Sequence, residues 1–79
     1  MDEIRAGSIV KLFYWQDKKI HDFTVTDIYF EHYVSDYKTI VKAKYYSEKA
    51  GYWFSETFFS NDFIKWMTEA KKMEANKNE

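Results

Sequence analysis

Apolar and polar positions alternate along most of this chain, and the alternation divides it into strands. The first run is Ile9-Val10-Lys11-Leu12-Phe13-Tyr14-Trp15, rich in β-branched and aromatic residues. Val10, Leu12 and Tyr14 share one face, and Ile9, Lys11, Phe13 and Trp15 share the other. Both faces are largely apolar, so either both are covered, as in a small barrel, or one is a binding face. Gln16-Asp17-Lys18-Lys19 is a polar turn. Ile20-His21-Asp22 then leads into Phe23-Thr24-Val25-Thr26-Asp27-Ile28, where Ile28 falls one residue out of phase with Phe23 and Val25. A β-bulge near Thr26-Asp27 returns Ile28 to the core side, because a bulge sets two residues opposite one. Past Ile28 the alternation resumes, with Phe30, His32 and Val34 opposed to Tyr29, Glu31 and Tyr33.

Ser35-Asp36 reads as a two-residue turn, followed by a third strand over 37–46. Its Val41, Ala43 and Tyr45 oppose Lys38, Ile40, Lys42, Lys44 and Tyr46. Glu48-Lys49-Ala50-Gly51 is the next turn. The fourth strand, Tyr52-Trp53-Phe54-Ser55-Glu56-Thr57-Phe58-Phe59, sets Tyr52, Phe54, Glu56 and Phe58 against Trp53, Ser55, Thr57 and Phe59. At Ser60 the period changes. Phe63, Trp66, Met67, Ala70 and Met73 follow the spacing of one helix face. Ser60 or Asn61 can cap the helix, and Asp62 complements its dipole. The hairpin of the third and fourth strands therefore carries its own helix, and the stretch 39–73 is the unit around which the rest is built.

These elements predict one domain over 1–79: a lead-in at 1–6, sheet at 7–59, a C-terminal helix at 60–75 and a frayed tail at 76–79. The predicted fold is mainly β within the α+β class, about four antiparallel strands forming a curled sheet or small SH3-like barrel closed by the helix. Gly7 can take positive φ and turn the backbone into the first strand.

Composition sharpens this picture. Seven Phe, seven Tyr and three Trp in 79 residues exceed what one small core needs, so part of the aromatic set belongs on the surface. No cysteine is present, so disulfides contribute nothing. Twelve basic and thirteen acidic residues are interspersed, giving a net charge of −1 and no global field toward nucleic acid or membrane. The start of the chain is charged with no apolar run behind it, and no apolar run reaches the ~18–20 residues of a membrane span. The expectation is a soluble cytoplasmic protein with no membrane partner.

Candidate chemistry is sparse. His21 and His32 sit near opposite ends of one strand, over about 30 Å apart if it is straight, so a shared metal is not expected. Nothing forms a Gly-flanked nucleophile, and two glycines are too few for a phosphate loop. Glu48, Glu56 and Asp62 fall on a turn, a strand and a helix start, where structural roles explain each. No catalytic, metal or cofactor site is expected, and an enzyme is not expected. Tyr and Trp are enriched at interfaces because they offer stiff area with a polar tip. The row Tyr29, Glu31, Tyr33 with Tyr37 is the first candidate contact surface, for another protein or a second copy of the chain. Lys38, Lys42, Lys44 and Tyr46 share a face of the third strand and form the alternative, a nucleic-acid-binding face. Alternating lysines also suit a solvated strand.

The segments Gly7-Ser8-Ile9-Val10-Lys11-Leu12, Phe23-Thr24-Val25-Thr26-Asp27-Ile28, Val41-Lys42-Ala43-Lys44-Tyr45-Tyr46, Tyr52-Trp53-Phe54 and Phe58-Phe59 together resemble a group of small uncharacterised bacterial and phage proteins. Those share a Gly-Asp-Val-Val-x-Leu opening and are similar to SH3-like small barrels. The resemblance spans roughly 7–66 and implies a fold but no functional residues. A standalone domain of this kind suits a phage-encoded inhibitor or adaptor acting by protein contact.

Overall fold

The computed structural model describes residues 4–33 and 36–77. Four strands, β1 (Ile9–Tyr14), β2 (Lys19–Tyr33), β3 (Asp36–Ser47) and β4 (Tyr52–Phe59), precede one helix, α1 (Ser60–Lys77). Every strand pairs antiparallel with its neighbour in sequence, and the sheet order is β1-β2-β3-β4. The result is an open curled sheet with a C-terminal helix. The helix is two residues longer than the spacing predicts, ending at Lys77 instead of residue 75.

The alternation decides which residues are inside. Leu12 and Tyr14 of β1, Phe23 and Val25 of β2, Val41, Ala43 and Tyr45 of β3, and Phe58 of β4 form one buried cluster with Phe63 of α1. Trp66 and Met67 pack against its rim, together with Ile4, Val10, Ile28 and Phe54. The helix lies chiefly along β1 and reaches β3 and β4. Phe63 meets Phe58 edge-on at 5.7 Å between ring centres, an arrangement worth roughly 0.5–1.5 kcal/mol beyond the area buried. Trp66 stacks on Trp15 at 5.6 Å and lies 5.7 Å from Phe13. So the second apolar face of β1 is partly covered by the helix, while Ile9 at its start stays exposed.

The bulge falls where Ile28 requires it. Pairing runs Val25 to Ala43 and then Asp27 to Lys42, leaving Thr26 as the extra residue. Its hydroxyl donates to the Lys42 carbonyl at 3.1 Å, and Ile28 faces Val41. Both glycines adopt positive φ, 97° at Gly7 and 81° at Gly51. The Gly7 N–H donates to the Val25 carbonyl at 2.7 Å, and the Gly51 N–H closes the β3–β4 turn on the Ser47 carbonyl at 2.7 Å.

The length of β2 gives the molecule its shape. β1 pairs with it only as far as Thr24, and β4 pairs with β3 only from Ile40 onward. Residues 30–33 and 36–39 therefore form a two-stranded ribbon projecting from the sheet, and the edge of β2 turned toward β1 is already clear of β1 from residue 27. The radius of gyration is 13.5 Å, against ~11.6 Å for a compact domain of this length. The expected Ser35-Asp36 turn differs in placement: Asp36 is already paired with Tyr33, and residues 34 and 35 lie outside the described residues.

Candidate interaction surface

One face of the sheet holds the core and the helix. The other, the outer face, is centred on β3, whose alternation sends Lys38, Ile40, Lys42, Lys44 and Tyr46 to it. Register brings the neighbours: Ile40 lies between Tyr29 and Phe59, Lys42 between Asp27 and Thr57, Lys44 between Thr24 and Ser55, and Tyr46 beside Trp53. The four residues of the lysine face named from sequence are thus brought together. Ile40 is 2% exposed, a buried apolar anchor on an otherwise open surface.

Aromatic rings and lysines interlock across this face. The Lys44 Nζ sits 4.6 Å from the Trp53 ring centre, and the Lys42 Nζ 5.7 Å from that of Tyr29. Tyr46 meets Trp53 edge-on at 5.4 Å. Trp53 remains 52% exposed and Tyr46 48%, with Phe59 exposed at the far end. Cation–π pairs at such sites contribute roughly 0.5–1 kcal/mol and hold the rings in place. Where β3 pairs with β4 the outer face carries Lys42, Lys44, Ser55 and Thr57, whereas Asp27 and Glu31 lie on the β2 side and Asp36, at the start of β3, reaches Lys38 at 3.7 Å. An Asp27 carboxylate oxygen accepts the Ile28 N–H at 2.9 Å.

The tyrosine row is divided. Tyr29 and Glu31 occupy the outer face, opposite Ile40 and Lys38. Tyr37 pairs with His32 and falls on the inner face, its ring 4.8 Å from the imidazole. Tyr33 closes β2, and its side chain lies outside the described residues. Tyr29 and Tyr37 therefore do not share a patch, because the hairpin register sets Tyr37 opposite His32 and not beside Tyr29.

Polar groups gather at one end of the core. The Tyr14 hydroxyl donates to a Glu56 carboxylate oxygen, which also accepts from Gln16 Nε2 at 3.4 Å. His21 Nε2 lies 2.6 Å from Asp17 Oδ2, and the imidazole stacks on Tyr45 at 4.1 Å. Burial first, and then the Glu56 carboxylate, pushes the Tyr14 pKa far up. Burial first, with Asp17 and Glu56 adding, also raises that of Tyr45. Both phenols are held protonated, which suits hydrogen-bond donation and closure of the core end. Among the described residues no group of three or more His, Asp or Glu is placed to hold a metal. A shallow groove of about 360 Å³ runs between Trp15, Thr57, Phe58, Asp62 and Trp66, with one carboxylate and one hydroxyl on aromatic walls.

Sequence reasoning missed Trp53 as a surface residue of interest. The alternation within β4 placed it opposite Phe54, but only the pairing of β4 with β3 sets it beside Tyr46 and Lys44. No protein family, curated protein or solved structure matches the chain. Among the described residues no helix is long and apolar enough to cross a membrane.

Proposed function

We propose that this chain is a non-enzymatic protein-binding domain, an inhibitor or adaptor, and that its contact surface is the outer face of the sheet. The observation that carries the reading is the pair Tyr46 and Trp53, half exposed side by side on the outer face, with Phe59 and Tyr29 extending it. An aromatic centre with a rim of Lys38, Lys42, Lys44, Asp27 and Glu31 has the anatomy of a protein interface. Both signs of charge on the rim suit a folded protein partner better than a polyanion.

A second reading, single-stranded nucleic acid, is favoured by one observation: Lys42 and Lys44 alternate with Tyr46 and lie beside Trp53 where β3 pairs with β4. One experiment separates the two. The wild type and the double variant Tyr46→Ser/Trp53→Ser are immobilised and exposed to extract from the source cell, with and without nuclease. The captured protein is then purified and titrated. A protein held by wild type in a nuclease-insensitive manner, and lost from the folded double variant, bears the proposal out. Sub-micromolar binding of an oligonucleotide at physiological salt transfers the face to nucleic acid. Equal partner binding by the double variant refutes the placement of the surface.

A further inference from the structure

The projecting ribbon is a separate surface, and it faces differently. Phe30, 75% exposed, and Tyr37, 69% exposed, lie on the inner face beyond the reach of the helix, with His32 beside Tyr37 and Ile28 at the core margin. The β1-side edge of β2 has no strand paired to it over residues 27–33 among the described residues. An unpaired edge is a template for another strand, and a two-stranded ribbon is marginal by itself. Apolar rings and an unpaired edge thus coincide on one seven-residue segment.

We infer that this segment pairs with the same segment of a second copy, joining two sheets across a twofold axis at Phe30. The register follows from the side chains. A twofold perpendicular to the sheet keeps each face continuous and sets residues of equal parity opposite one another. A register centred on Tyr29 sets Asp27 against Glu31 of the other copy, and one centred on Glu31 sets that carboxylate against itself. Like charges directly opposite are destabilising. The register centred on Phe30 avoids both and uses the whole segment 27–33. It places Phe30 beside its own copy, Ile28 beside His32, and Tyr29 beside Glu31. A register moved further toward the start of β2 runs into Thr24 and Val25, whose edge β1 and Ser8 already occupy. Isologous pairing of this kind shields the same edge on both chains. It leaves the outer-face aromatics Tyr46 and Trp53 available, so it does not depend on the proposed partner surface.

The test uses the full chain, whose lack of cysteine makes it a clean background. Sedimentation velocity from about 1 to 200 µM should show a monomer–dimer equilibrium, and Phe30→Glu should weaken it by about tenfold or more without moving the melting temperature. Phe30→Cys should become a covalent dimer on mild oxidation, since directly opposed Cβ atoms lie about 4.5–5.5 Å apart. Ser55→Cys on the outer face of β4 should not. Tyr46→Ser/Trp53→Ser should dimerise as wild type does. A wild type that stays monomeric throughout overturns the inference. So does a dimer that Phe30→Glu leaves intact, or one in which Phe30→Cys and Ser55→Cys cross-link equally. If Phe30→Glu fails to fold, the cysteine pair decides.

Discussion

Alkali should unfold this domain through two buried phenols, and removing one of them should make the protein less stable at neutral pH yet more resistant to base. Tyr14 and Tyr45 are almost fully buried, and both pKa values are raised in the folded chain. In the unfolded chain each phenol loses its proton near pH 10. Above that pH the unfolded state binds fewer protons than the folded state, so stability falls as pH rises. A phenol that is protonated in the folded chain and ionised in the unfolded one removes ~1.4 kcal/mol per pH unit; Tyr14, pushed up furthest, carries most of the loss and Tyr45 adds to it. A small domain near the lower end of stability, ~5 kcal/mol, should then unfold in strong alkali. Tyr14→Phe loses the hydrogen bond to Glu56, about 1–2 kcal/mol at pH 7, but it removes the larger part of the alkaline slope. Its alkaline midpoint should lie above that of wild type, although its urea midpoint at pH 7 is lower. Circular dichroism and tyrosinate absorbance, followed together from pH 7 to 13, give both numbers. A Tyr14→Phe curve parallel to wild type and displaced to lower pH would refute the reasoning. So would ionisation of Tyr14 near pH 10 in a chain that keeps its fold.

Two further outcomes test the core and the bulge. Phe63→Ala should cost about 3–5 kcal/mol, enough to unfold most of the population, while Trp66→Ala, at the rim of the core, should cost about 2; urea denaturation at neutral pH ranks them, and equal costs would contradict the packing. Deleting Thr26 should be tolerated, because Asp27 already faces Lys42 and Ile28 already faces Val41, so only the hydroxyl bond and local twist are lost, about 1–2 kcal/mol. Deleting Thr24 instead turns Val25 outward and Thr26 inward and should cost more than 2 kcal/mol by about the same denaturation assay.

The two deletions mark where the sequence was readable. Ile28 stands out of phase with Val25, and period-2 alternation leaves a bulge as the remedy, so the position of Thr26 could be inferred from spacing alone. The stripe Phe63, Trp66, Met67, Ala70, Met73 identified the helix and its buried face for the same reason. What spacing could not convey was which strand neighbours which position. Tyr37 falls on the inner face, in phase with Val41 and Ala43 along β3, and the register of Tyr33 on Asp36 is what sets it opposite His32. Glu56 was visible on the face of Phe54 and Phe58, yet its partner Tyr14 is 42 residues away in the chain, beyond any local pattern. Trp53 acquires its place beside Lys44 only through the β3–β4 register.

Strand order that follows chain order has a mechanical consequence. Each strand is bonded only to the strand before and after it, and the first and last elements meet through side chains, with α1 laid along β1. Handles attached at the start of β1 and the end of α1 would therefore load rings such as Phe13, Trp15 and Trp66, with no ladder of backbone bonds between the pulled elements to shear. The clasp should open at low force, the helix should peel away as a unit, and the meander should then unzip one hairpin at a time.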